Sequence, residues 1–220
     1  MGFSNTEHDL YELIKTAGIT GCPLCSLEEE KIKNSMKVLL YESVTKREFR
    51  KDIRFTGICK KHFDMFNESV KEDKTVAGLG PAIIFEDMLI SQFQAMDKKK
   101  RFSNKSIRKD CYFCQYTQTL PERLVASAYN VLKESKGFSA FKESKAIFCL
   151  DHYEMIQRHA GKMKNKRLQS SLKEVQEEKI MVLKKKLRGF IDKHDHFNTD
   201  KIDPDEAESI DIAFRLLLRL

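Results

Sequence analysis

All six cysteines and two of the six histidines fall into one pattern that is used twice. Cys22-Pro23-Leu24-Cys25 is followed by Cys59-Lys60-Lys61-His62, and Cys111-Tyr112-Phe113-Cys114 by Cys149-Leu150-Asp151-His152. A CxxC pair presents two sulfurs from one turn of chain, and a CxxH pair presents a sulfur and an imidazole nitrogen in the same way. Together they supply a Cys3His set, a closed tetrahedral shell of soft and borderline donors. Such a shell suits Zn²⁺, with Zn–S near ~2.3 Å and Zn–N near ~2.0 Å, and leaves no position for water or substrate. A structural role and two zinc ions are expected.

A lone cysteine is most often a small buried hydrophobe, but eight ligand-type residues in register twice are not explained that way. Disulfides are disfavoured because no secretory segment is visible and a Lys/Glu-rich chain of this size does not need them as staples. Two chemical alternatives stand. A Cys3His set also holds iron–sulfur clusters, where histidine replaces cysteine at some centres. Thiol-redox chemistry is the other, since a CxxC opening a helix gains thiolate character from the helix dipole. Thioredoxin-type chemistry, however, expects a βαβ setting, and no strand pattern is present. Haem attachment is excluded by Ser26 after Cys25 and Gln115 after Cys114.

The two copies are offset by about 90 residues, which marks a tandem duplication. The repeats are drawn as residues 1–101 and 102–220. Ligands can pair within a repeat or be exchanged between repeats. Within-repeat pairing is expected, with Cys22, Cys25, Cys59 and His62 in one site and Cys111, Cys114, Cys149 and His152 in the other, because the shorter loop closes at smaller entropic cost.

The elements that must position these residues are helices. Leu10, Leu13, Ile14 and Ala17 follow a 3.6 period after Thr6 as N-cap, with Gly18 as the stop. The first CxxC leads into Ser26-Leu27-Glu28-Glu29-Glu30, acidic residues at a helix start, with Ile32, Met36 and Leu39 continuing an apolar stripe. A short helix through Phe66 follows the first CxxH. A hinge at Gly78-Leu79-Gly80 then precedes a helix opened by Pro81 and carrying Ile84, Phe85, Met88, Leu89, Phe93 and Met96, expected to be buried between the repeats. In the second repeat Thr119-Leu120-Pro121-Glu122 begins a helix bearing Leu124, Ala128, Val131 and Leu132 that stops near Gly137. Cys149 to His159 makes a short helix closed by Gly161. A long charged helix spans Lys164 to Lys193 with Leu168, Leu172, Val175, Ile180, Leu183, Leu187 and Phe190 on one side. Asp203 caps and Pro204 starts a terminal helix with Ile210, Phe214, Leu217 and Leu218. The fold class is all-α, two tandem helical repeats each pinned by a Cys3His metal site.

Hydrophobic content of 41% is ordinary for a globular protein. Lys and Arg number 40 against 33 Asp and Glu, a net charge of +7 that points weakly to anionic partners. The densest run, Lys98-Lys99-Lys100-Arg101 continuing to Lys105, Arg108 and Lys109, reads first as a solvated linker. With Lys162, Lys164, Lys166, Arg167 and Lys184-Lys185-Lys186 it also reads as a phosphate-contacting patch for nucleic acid. Glu174, Glu177 and Glu178 interrupt it, and no recognisable RNA-stacking or major-groove motif accompanies it. The stretch Phe190-Ile191-Asp192-Lys193-His194-Asp195-His196 could form an open metal or catalytic site. The ordinary reading, His and Lys near the negative end of a helix dipole, is preferred. There is no Gly-rich phosphate loop, nucleophile elbow or open three-ligand motif, which argues against a hydrolase or transferase.

No run of about 18 apolar residues is present, so no membrane span is expected. Met1 to Thr6 formally fits a short myristoylation pattern, which is read as coincidence. Reduced cysteine ligands place the protein in the cytoplasm.

The combination of Gly21-Cys22-Pro23-Leu24-Cys25, Gly57-Ile58-Cys59-Lys60-Lys61-His62, the second CxxC and CxxH, and the closing Phe190-Ile191-Asp192-Lys193-His194-Asp195 resembles an uncharacterised, mainly prokaryotic family of CPxC/CxxH proteins, a domain of unknown function. The second CxxC lacks the proline of the first. The resemblance spans almost the whole chain and implies a soluble prokaryotic protein, with no activity to carry over. The reading is a metal-binding helical module with a binding or scaffold role toward a protein partner, with iron–sulfur or thiol-redox chemistry and nucleic-acid binding as the alternatives.

Overall fold

The computed structural model describes residues 4–15, 21–38, 44, 46, 48, 50, 53, 56–72, 78–97, 111–194 and 200–217, with side chains described for all of these but 72 and 91–97. The described residues form helices and contain no strand beyond one isolated parallel bridge, Gly21 to Ala146. In chain order the helices are α1 (Asn5–Lys15), α2 (Pro23–Val38), α3 (Lys60–Glu72), α4 (Leu79–Asp97), α5 (Tyr112–Thr117), α6 (Leu120–Lys133), α7 (Ser135–Glu143), α8 (Leu150–Lys162), α9 (Lys166–Lys193) and α10 (Pro204–Leu217). The all-α expectation holds.

The chain divides into two compact units. One combines Met1–Leu27 with Pro121–Leu220, and the other is the intervening segment Glu28–Leu120. The second unit is therefore inserted, in sequence, into the first.

In the discontinuous unit, α1 joins the later helices through Glu7, whose carboxylate accepts from Asn130 at 2.7 Å on α6. Fully buried Leu10, Ile14, Leu24, Ala128, Val131, Phe141, Phe148, Ile156 and Leu172 form the core. Phe141 and Phe148 stack at 4.6 Å between ring centroids. The α8–α9 hairpin is fastened by a reciprocal amide pair: Gln157 donates to the Gln169 carbonyl at 3.0 Å and Gln169 donates to the Gln157 carbonyl at 2.9 Å. The chain ends on α10 against α9, tied by Lys193–Glu206 at 2.9 Å and Lys186–Asp205 at 2.8 Å. In the inserted unit the buried apolar side chains among the described residues include Ile32, Met36, Val44, Ile53, Phe66, Ile84, Phe113 and Leu120.

Helix boundaries follow capping chemistry more closely than apolar periodicity. The cap of α1 is Ser4 and not Thr6: Ser4 Oγ accepts from the Glu7 N–H at 3.4 Å while the Ser4 N–H donates to Glu7 Oε2 at 2.8 Å. This is the reciprocal Ser-x-x-Glu capping box. Asp203 caps α10 as expected, accepting from Asp205 N–H at 2.8 Å, and the Asp203 N–H returns to Glu206 at 2.9 Å. Pro81 lies in the first turn of α4, which opens at Leu79 after Gly78 at φ +72°. That helix is not wholly buried, because Ile84 is enclosed while Leu79, Leu89 and Ile90 are exposed. Gly18, Leu39, the basic run from Lys98 to Lys109, Asp195, His196 and Leu218 lie outside the described residues.

Gly137 does not end a helix. The break falls at Glu134, and Gly137 sits buried in α7, where an added Cβ would lie 2.1 Å from the Val131 carbonyl oxygen. Backbone cannot yield to such a contact as a side chain can. Helix propensity alone favours alanine over glycine by about 1 kcal/mol. Gly137→Ala is nevertheless expected to destabilise the protein by about 2 kcal/mol, lowering Tm by roughly 4–8 °C in a thermal melt. An unchanged or raised Tm would show that the α6–α7 corner is looser than described.

Candidate metal centres

Each of the four knuckles is built on a helix start. Cys22, Cys59, Cys111 and Cys149 stand immediately before α2, α3, α5 and α8, and the carbonyl of each accepts the first helical hydrogen bond. Those bonds come from Ser26 at 3.2 Å, Phe63 at 2.8 Å, Gln115 at 3.0 Å and Tyr153 at 2.9 Å. The second ligand of each knuckle, Cys25, His62, Cys114 or His152, then falls in the first turn and faces the same way. The positive end of the helix dipole favours thiolate there. Between the CxxC ligands, Leu24 and Phe113 point into the core and are fully buried. Phe113 also packs against the His62 ring, 5.6 Å between centroids.

The knuckles pair across the repeats, which corrects the within-repeat expectation. Cys22 and Cys25 meet Cys149 and His152, and Cys59 and His62 meet Cys111 and Cys114, the four donor atoms of each group lying within 4.8 Å of one another. The first group lies wholly in the discontinuous unit and the second wholly in the inserted unit. The two groups together contain the eight sequence-predicted residues.

In the first centre His152 Nδ1 lies 3.5, 3.3 and 3.2 Å from the sulfurs of Cys22, Cys25 and Cys149, and Cys25 is 3.7 Å from Cys149. In the second, His62 Nδ1 lies 3.3, 3.4 and 3.5 Å from the sulfurs of Cys59, Cys111 and Cys114, and Cys59 is 3.9 Å from Cys114. Four donors around one tetrahedral ion of zinc's bond lengths would stand ~3.8 Å apart for sulfur pairs and ~3.6 Å for sulfur–nitrogen pairs. The spacing therefore fits a single ion in each group.

Backbone bonds hold the paired knuckles in register. In the first centre the Ile147 N–H donates to the Gly21 carbonyl at 3.0 Å, and in the second the Tyr112 N–H donates to the Gly57 carbonyl at 3.0 Å. Tyr112 occupies the position where the first CxxC has Pro23, which has no N–H to give. The missing proline thus frees a donor that ties the second centre. Gly21 (φ +125°) and Gly57 (φ +73°) supply the turns that bring these carbonyls round, conformations that side-chain-bearing residues rarely adopt.

A further positioning residue, Gln176 on α9, was not anticipated from the sequence. Its amide is buried and clasps the backbone of Phe148, donating to the carbonyl at 2.7 Å and accepting from the N–H at 3.3 Å, next to Cys149. The readable signal was a glutamine inside the apolar stripe formed by Leu168, Leu172 and Val175. His194, by contrast, turns back on its own helix end, with Nδ1 3.0 Å from the Phe190 carbonyl and its ring 4.2 Å from Phe190.

Three sulfurs this close cannot all be thiolates with only protons among them. Hydrogen bonding to Cys149 and Cys22, with burial, holds Cys25 well above the usual thiol range, while contacts from Cys22 and Cys25 hold Cys149 well below it. Burial opposes a charge on His152, but Cys149 and Cys22 outweigh it and raise the ring to about 10. Desolvation and the charges of Cys111 and Cys59 lift Cys114 to about 12. A central cation removes the conflict by replacing these protons.

The centres differ in access. Cys22, Cys149 and His152 are buried in the first, whereas Cys114 is exposed and Cys59 half-buried in the second. A chelator is expected to strip the second centre first, giving two-phase metal release in a chromogenic chelator assay; Cys59→Ser should abolish the fast phase. Paired variants report the pairing itself. Cys22→Ser with Cys149→Ser should leave one metal per chain, and Cys22→Ser with Cys59→Ser should leave none. Within-repeat pairing gives the reverse.

The model of a family of unknown function (DUF6062) matches residues 15–215, a span that contains all eight ligand-type residues. Comparison with curated proteins and with solved structures finds no match.

Proposed function

The chain belongs to that family of unknown function, and we propose that it is a helical binding or scaffold module held together by two structural Zn²⁺ ions, one in each Cys3His group. The observation that carries this reading is the single-ion spacing of the donors, all within 4.8 Å in both groups. The ligands of an iron–sulfur cluster are divided among several irons and spread wider than the ligands of one ion, so the spacing favours zinc over a cluster. A filled four-ligand shell offers no open position for substrate, which favours a structural over a catalytic metal. The thiol-redox alternative fits less well, because each sulfur is engaged with an imidazole and other sulfurs and not poised with a single partner.

Zinc would hold each unit by joining two helix starts that the backbone keeps far apart in sequence. Thiolate ligands suit a reducing compartment, consistent with the cytoplasm. No helix among the described residues is long and apolar enough to cross a membrane.

The test is metal and acid-labile sulfide content, with a visible spectrum, on protein purified without oxygen. Two zinc per chain and no colour are expected. Iron with sulfide and broad visible absorption would replace the scaffold reading with an electron-transfer one. Because the ligands bind metal only when deprotonated, metal should be retained near neutrality and released on acidification, with loss of helical signal. A thermal melt unchanged after verified metal removal would end the structural role.

A further inference from the structure

Nine cations among the described residues are matched by carboxylates. Lys33 pairs with Glu29, Arg50 with Asp87, Lys60 with Asp64, Lys173 with Glu177, Arg188 with Asp192 and Arg215 with Asp211. Lys145 and Lys186 share Asp205, and Lys193 meets Glu206. The turn between α8 and α9 departs from this. Arg158 and Lys162 lie one helical turn apart on α8, Lys164 lies in the connection, and Lys166 and Arg167 open α9; all are exposed. No carboxylate among the described residues forms an ion pair with any of them. The stretch from Met155 to Lys173 contains no Asp or Glu, and the nearest acids in sequence are Glu154 and Glu174.

The turn is also stiff. Asn165 caps α9 by accepting from the Leu168 N–H at 3.1 Å, the Gln157–Gln169 amide pair closes the hairpin behind it, and Lys164 holds a left-handed backbone at φ 56°. Grouped, unpaired cations repel one another, and a rigid turn cannot spread them. They are relieved by a partner carrying several anions at fixed intervals.

We infer that this turn is a docking surface for the phosphate backbone of a double-stranded nucleic acid, bound without regard to base sequence. This names a partner for the binding role proposed above and rests on that reading only for the folded state of the unit. The exposed cations are charge-complementary to a row of phosphates. Single-strand binding normally adds aromatic platforms on which bases stack. The tyrosines of this hairpin are engaged instead: Tyr129 is buried against His159, 5.1 Å between centroids, and half-buried Tyr153 accepts from Gln157 Nε2 at 3.0 Å. A membrane surface is less well matched, because Met163 is the only exposed large apolar side chain in the turn and interfacial helices insert a whole apolar face.

The experiment is fluorescence anisotropy with a labelled mixed-sequence DNA duplex of about 30 base pairs, titrated at salt concentrations from roughly 50 to 200 mM. The intact protein should bind at low salt and lose affinity by roughly two orders of magnitude across that range, as expected for about four or five phosphate contacts. Lys162→Glu with Lys164→Glu and Lys166→Glu should weaken binding at least ~10-fold at low salt. Lys33→Glu with Arg188→Glu and Arg215→Glu makes the same change in net charge at ion-paired positions and should weaken it far less. Equal losses in the two variants, or no binding by the intact protein, would overturn the inference. So would loss in the first variant of binding to phosphatidylserine vesicles with duplex binding unchanged. Metal content and helical signal, measured on every variant, separate failure of this inference from failure of the metal reading.

Discussion

The structure depends on the convergence of four soft donors from two helix starts that are remote in sequence. Cys25 and Cys149 are separated by 124 residues, and Cys59 and Cys114 by 55, yet their sulfurs lie 3.7 and 3.9 Å apart. Each helix start contributes its ligands by the same local device, a cysteine whose carbonyl opens the helix and a second ligand one turn on. Local geometry alone therefore makes half a site, and only tertiary pairing makes a whole one. The backbone bonds from Ile147 to Gly21 and from Tyr112 to Gly57 put the halves in register, and Gln176 holds the Phe148 backbone beside Cys149 from behind.

That pairing gives a nested arrangement from a tandem sequence. Repeat order is CxxC, CxxH, CxxC, CxxH, but the outer two knuckles form one centre and the inner two the other. The loop-entropy argument for within-repeat pairing is sound in sign and small in size. Lengthening a loop a few-fold costs only about 1 kcal/mol. A penalty of that size is outweighed by packing that delivers both knuckles together. A consequence is that the ligands of one centre bracket the unit that contains the other.

The two centres are alike in ligands and unlike in setting. In the first, Leu24, Phe148 and the long helix α9 surround the donors, and three of the four ligands are buried. In the second, the six-residue helix α5 carries Cys111 and Cys114, and Cys114 is exposed. The same ligand set is thus mostly enclosed in one unit and nearer the surface in the other.

The helical class, the eight ligand-type residues and the start of α10 at Asp203-Pro204 were legible in the sequence, because each rests on local physics: apolar period, ligand spacing and capping chemistry. The α1 cap was misplaced by two residues because Thr6 and Ser4 are both good caps, and only the reciprocal bond with Glu7 chooses between them. Gly137 read as a helix stop because glycine usually punctuates, whereas its small size serves the tight approach to Val131. Which CxxC meets which CxxH, which centre is shielded, and which lysines are left without carboxylates were decided by tertiary structure. Ligand type is a property of residues close in the chain, while pairing, burial and charge compensation depend on segments far apart in it, and the sequence pattern is the same for either partner.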